Sequence, residues 1–140
     1  MKALGRHIVA ELSHCDSEVL TDLERVQAAM VQAALVARAE IRELAFHRFY
    51  PTGVSGVVVL AESHLAIHTW PDLGYAAIDV YTCGDTAQPW KACRYLAEQF
   101  NCGSIHTTVM ERGIPDSPGA FGHRLTVVEQ RQELLSASTA

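Results

Sequence analysis

Concentrated charge is scarce in this chain of 140 residues. Lys and Arg number 11 against 16 Asp and Glu, giving a formal charge of -5 and a pI near 5.7, and no local cluster of cations offsets this. A phosphate backbone would find no basic surface, which excludes nucleic acid as an expected partner. Long apolar runs are missing too: none approaches the roughly 18 residues of a membrane span. The opening MKALGRHIVAELSH lacks the apolar core of a signal peptide. The expectation is a cytoplasmic protein with no membrane partner. The cysteines Cys15, Cys83, Cys93 and Cys102 include no CxxC pair, so free thiols are expected rather than disulfides or a metal site.

What is present is the composition of a compact domain: 49% hydrophobic, 19% charged, mean hydropathy +0.07. A chain of this length buries roughly two thirds of its unfolded surface and needs no staples. Gly5 to Leu12 alternates as a first strand, and from Ser17 to about Ala39 the apolar period becomes helical through Leu20, Leu23, Val26, Met30 and Ala34. Ile41 to Phe49, Gly56 to Leu60, Leu65 to Trp70 and Tyr75 to Thr82 read as strands, the last two joined by the turn Pro71-Asp72-Leu73-Gly74. Pro89 opens a second helix with Trp90, Cys93, Leu96, Ala97 and Phe100 on its apolar side, and Ser104 to Met110 is a last strand. Residues 113–140 read as loop followed by a short helix or a tail.

This order predicts an α+β fold: a two-layer α/β sandwich, an antiparallel sheet with two helices on one face. The uncovered face of so apolar a sheet calls for a second subunit, and a homodimer is the simplest. On the strands, His64, Ala66 and His68 share one face, and Tyr75, Ala77, Asp79, Tyr81 and Cys83 share another. HxxxH is a helical metal spacing; on a strand the two rings start about 13 Å apart, so no metal site is expected. Gathered polar groups need partners or a purpose. From the residues alone, either a hydrogen-bonded network at a subunit interface or a Cys-His nucleophile pair fits.

The segment FHRFYPTGVSGVVVLAESHLAIHTWPDLGYAAIDVYTCGD, residues 46 to 85, resembles the core signature of the prokaryotic S-adenosylmethionine decarboxylases, and MKALGRHIVAEL resembles their first strand. The likeness spans about residues 1–112. It implies a two-layer sandwich that dimerises and is made as a proenzyme. The Glu62–Ser63 bond would be cut by the chain itself, leaving a β chain of residues 1–62 and an α chain beginning at Ser63, which becomes a pyruvoyl cofactor. The resemblance assigns His68 as processing base, Ser55 as hydrogen-bond donor to the oxyanion and Cys83 as general acid. It also assigns Phe49, Asp72, Leu60 and Glu62 to the substrate. The pyruvoyl ketone would form a Schiff base with the small-molecule substrate's amine and accept the electrons released with carbon dioxide. Active sites would be shared, Ser63 and Cys83 of one protomer meeting Ser55, His68 and Phe49 of its partner. The product would be the aminopropyl donor for spermidine and polyamine biosynthesis.

The pattern departs at Asp72, where the family carries glutamate. This leaves L-arginine or L-ornithine as an alternative substrate for the same chemistry. A binding module of the same fold that never cleaves is the reading from another class.

Overall fold

The structure, a computed structural model, describes residues 2–61, 63–84 and 86–134, without the side chains of residues 128 and 129. In chain order the elements are β1 (Gly5–Ser13), α1 (Ser17–Leu20), α2 (Leu23–Val36), β2 (Ile41–Arg48), β3 (Val54–Leu60), β4 (Ser63–Trp70), a 3-10 turn (Pro71–Leu73), β5 (Tyr75–Cys83), α3 (Pro89–Gln99), β6 (Ser104–Ser117) and β7 (Ala120–Glu133). The strands form one sheet in the order β2-β3-β4-β5-β1-β6-β7, every neighbouring pair antiparallel. Helices α2 and α3 pack on each other and on the sheet, so the expected α+β sandwich is the fold.

Alternation decides which side of each strand is covered. Ile8, Ala10 and Leu12 of β1, Leu65 and Ile67 of β4, and Ile78 and Val80 of β5 are buried beneath the helices. Val26, Met30 and Ala33 of α2 and Ala92, Cys93 and Leu96 of α3 meet them, with Phe100 fully enclosed just beyond α3. Thr69 is one of the few polar members of this layer. Its hydroxyl donates to Leu20 O and accepts from Val54 N, both at 2.9 Å, so β4 is tied to α1 and β3 with no unpaired group.

Two expectations are corrected. The helix read from Ser17 to Ala39 is two helices, because Asp22 turns back as an N-cap and accepts from Arg25 N at 3.2 Å. A side chain that satisfies a free helical N–H starts a new helix where periodicity alone would continue the old one. Of the segment read as loop followed by a short helix or a tail, residues 113–133 form the end of β6 and the whole of β7, turning at Gly119 with φ 79, and residues 135–140 lie outside the described residues. Register shifts at Thr107/Val109, Val109/Met110, Arg112/Ile114 and Pro115/Ser117 break the alternation that marks a strand, and Pro115 sits at one of them.

Candidate active site

Among the described residues the sheet's other face carries no helix; Cys83, Ser55 and His68 stand on it, Ser63 lies at its edge at the start of β4, and these groups gather at two places. The first is the junction of β3, β4 and β5. Leu60 pairs with Ser63, so the β3–β4 connection is only Ala61 and Glu62, and Glu62 lies outside the described residues. The Cys83 backbone N–H donates to Ser63 Oγ at 3.1 Å, fixing the serine at the start of β4. Leu60 is 3% exposed and turned into the core.

Around Cys83 stands a set of rings. Register aligns His7 with Tyr81 and Tyr81 with His64. The His7 and Tyr81 rings are 5.7 Å apart, and His64 lies 5.9 Å from each. The Arg112 guanidinium sits 5.3 Å from the Tyr81 ring centroid, and the Tyr81 hydroxyl lies over Gly5, the cross-strand partner of Cys83. Burial raises the Tyr81 pKa, and the nearby Cys83 side chain adds to this while Arg112 opposes it. His7 is shifted the other way. Burial lowers its pKa, Asp79 partly offsets this, the electrostatic influence of His64 and Arg112 reinforces it, and its Nε2 is buried with no hydrogen-bond partner.

The second place is the far end of β4. Ser55 and His68 face each other across β3 and β4, their Oγ and Nδ1 hydrogen-bonded at 2.7 Å. Both line a cleft of about 510 Å³ with Phe49, Trp70 and Asp72. Phe49 and Trp70 are 46% and 45% exposed, presenting two aromatic surfaces to this cleft. Phe49 is held by a loop closed through its N–H to Gly53 O at 2.8 Å. Asp72 is exposed on the 3-10 turn, which ends at Gly74 with φ 61. A Cβ at Gly74 would stand 3.2 Å from Cys15 O, so glycine serves both the left-handed backbone and the close approach.

The chain therefore brings Ser63 to Cys83, and Ser55 to His68, Phe49 and Asp72, but it does not bring the two sets together. His68 is five residues along β4 from Ser63, about 16 Å at the rise of a strand. Between the two sets runs the row Val57, Ala66, Asp79 and Val9, with Ala77 beside it, so the Asp79 carboxylate stands among small and apolar residues. Next to them Tyr75 donates to Glu11, and burial followed by that bond pushes the Tyr75 pKa up to about 12. Among the described residues no group of three or more His, Cys, Asp and Glu side chains could hold a metal ion, and no helix is long and apolar enough to cross a membrane.

Reading the sequence missed the roles of His7, Arg112 and Trp70. Alternation could assign His7 and Trp70 a face, but only the register of β1 with β5 and β6 makes His7 and Arg112 neighbours of Tyr81.

Comparison with known proteins bears on this arrangement. A family model described as S-adenosylmethionine decarboxylase matches residues 6–113. The chain is 59% identical over 120 residues to the S-adenosylmethionine decarboxylase proenzyme of Moorella thermoacetica, covering 86% of this chain and 96% of that one. To the proenzyme of the same name from Pelotomaculum thermopropionicum it is 60% identical over 114 residues, 81% of this chain and 90% of that one. The fold is similar to the crystal structure of the adenosylmethionine decarboxylase from Aquifex aeolicus, with TM-score 0.78 and 38% identity, covering 84% of this chain and 97% of that one.

Proposed function

Because the chain belongs to the S-adenosylmethionine decarboxylase family, we propose that it is a self-processing decarboxylase of S-adenosylmethionine, working through a pyruvoyl group made from its own Ser63. The observation that carries this reading is Ser63 itself, a serine at a hairpin tip with its hydroxyl anchored on the Cys83 N–H at 3.1 Å. Cutting there severs no ladder pair. Residues 1–62 would keep β3 paired with β2 and β4, and the Ala61 N–H still donates to Glu40 O at 3.0 Å.

In processing, Ser63 Oγ adds to the Glu62 carbonyl carbon, and the C–N bond breaks as an ester forms, freeing the Ser63 amine. A hydroxyl next to its own carbonyl needs no diffusion, only orientation. A base then takes the Ser63 Cα proton as the Glu62 carboxylate leaves, and water replaces the resulting imine nitrogen, which departs as ammonia. His68 is the base in this scheme, and Ser55 donates to the oxygen that gains charge. When formed, the pyruvoyl group supplies an electron sink next to the substrate's breaking carbon–carboxylate bond. Cys83 gives a proton to the substrate carbon afterwards, Phe49 and Trp70 offer stacking surface, and Asp72 offers an acceptor for hydroxyl groups. The product would serve as an aminopropyl donor for polyamine synthesis.

The separation of the two residue sets supports a shared site. A two-fold pairing of the open sheet faces sets Ser63 and Cys83 of one protomer against Ser55, His68 and Phe49 of its partner, twice per dimer. It also covers apolar side chains that one chain leaves open, including Val59 at 39% exposure. Mixing Ser63→Ala with His68→Ala under subunit exchange should then restore about a quarter of the parent activity, since half the dimers are mixed and each holds one complete site. No restoration would exclude the shared site.

Denaturing mass spectrometry tests the processing. Two fragments meeting between Glu62 and Ser63, the second blocked by a pyruvoyl group, are expected; a single persistent chain would sink the reading in favour of a binding module. Asp72 is a methylene shorter than the glutamate of the family pattern, so arginine and ornithine belong in the substrate panel. Carbon dioxide released from S-adenosylmethionine and from neither amino acid is the expected result.

A further inference from the structure

Cys83 does not stand alone, and the group beside it is one to which the proposed function assigns no role. Tyr81 lies two residues earlier on β5, on the same face, and the Cys83 side chain adds to burial in raising the phenol's pKa. A tyrosine standing upright from a strand would not reach its neighbour two residues along, so the ring must lie down along the sheet. Gly5 makes this possible. It pairs directly with Cys83 across β1 and β5, and a Cβ placed on it would come within 2.4 Å of the Tyr81 hydroxyl oxygen. Backbone geometry does not require glycine here; the close approach of the phenol does.

The ring is held on its other sides as well. Arg112 of β6 covers it at 5.3 Å, His7 of β1 meets it edge-on at 5.7 Å, and His64 of β4 lies at 5.9 Å. Asp79 is a further charged group of the cluster, and Lys2, Arg6 and Glu111 share with Tyr81 and Cys83 a cavity of about 920 Å³.

We propose that Tyr81 is a positioning residue for Cys83: its O–H fixes the direction of the thiol and holds the negative charge left on sulfur when the thiol proton is given up. The proposal rests on the decarboxylase reading only for where that proton goes. A hydrogen bond to an ionised acceptor is stronger than one between neutral groups, so the bond strengthens as the proton leaves. It therefore favours proton release more than it favours the resting thiol. Arg112 tempers the phenol, keeping it a better donor than burial alone would allow.

The test uses full-length protein carrying Ser63→Ala, which cannot process, so the thiol is read independently of turnover. Alkylation by iodoacetamide is followed across pH on the peptide containing Cys83, which separates it from the buried Cys15, Cys93 and Cys102. Tyr81→Phe keeps the ring and removes only the O–H. The midpoint of the pH profile should move up by about one unit, the size expected for a lost charge-assisted bond. Gly5→Ala, which pushes the phenol out of its slot, should move it in the same direction. An unmoved midpoint in a folded Tyr81→Phe protein would overturn the proposal, whatever Gly5→Ala does. In the processing chain, Tyr81→Phe should lower kcat by about three- to tenfold with KM unchanged; a rise in KM alone would assign Tyr81 to substrate binding and overturn it too. A parent chain that never splits would overturn the decarboxylase reading and leave the thiol result standing.

Discussion

Along β4, Leu65, Ile67 and Thr69 are buried beneath the helices, while His64, Ala66 and His68, one residue out of step, stand on the open face. The same strand thus presents two different chemistries separated only by alternation. The covered face is filled mainly by Leu, Ile, Val and Phe, and Thr69 on it is doubly hydrogen-bonded. The open face carries histidines, tyrosines, a carboxylate and a thiol around a floor of small residues. Groups that would be costly to bury in a core can be kept on a face that no helix covers. Stability and chemistry are assigned to opposite sides of one sheet, and substitutions on the two sides should fail in different ways.

The sharpest difference is expected at Ser63. Ser63→Ala removes the only atom able to attack the preceding carbonyl, so cleavage should be lost completely, with one intact chain on a denaturing gel. The fold should lose about 1 kcal/mol, the value of the hydrogen bond from Cys83 N–H. His68→Ala should follow, slowing cleavage by about 10²- to 10⁴-fold, the usual contribution of a positioned base, with little change in melting temperature. On the covered side the order reverses. Phe100 is wholly buried, and Phe100→Ala should cost about 3–5 kcal/mol in chemical denaturation. Whatever fraction stays folded should still cleave itself. An open-face substitution that melted the protein as Phe100→Ala does would break the division between the faces.

How much of this was legible beforehand follows from which signals are local. Alternation in HLAIHTW and YAAIDVYTC assigned faces correctly, because it depends only on the strand's own period. The helix starting at Pro89 was legible for the same reason. The break at Asp22 was hidden, since a capping aspartate and a surface aspartate look alike in a helical pattern. Strand β7 was hidden because its pairing with β6 runs through repeated register shifts and its side chains are largely exposed. The two halves of the site could be listed from the family signature, yet their separation along β4 is a matter of register. So is the meeting of His7, Tyr81 and Arg112, contributed by three strands far apart in sequence.

The smallest expected effect sharpens the comparison most, because it concerns an open-face residue that behaves partly like a buried one. His7 has its pKa lowered from 6.5, chiefly by burial, and its Nε2 has no partner. Its neutral form is therefore the one the fold prefers. The unfolded chain takes up the proton more readily, so the stability at stake is present above the ordinary histidine pKa and is lost as pH falls below 6.5 toward the folded value. Between pH 7.5 and 5.5 the melting temperature of the parent should fall more steeply than that of His7→Asn, which has no proton to gain. Asp79 pulls in the opposite direction, raising the His7 pKa. Asp79→Asn should for that reason steepen the parent's slope rather than flatten it. If His7→Asn and the parent lose stability in parallel on acidification, then His7 is solvated in solution and the open face near Cys83 is wetter than its geometry implies.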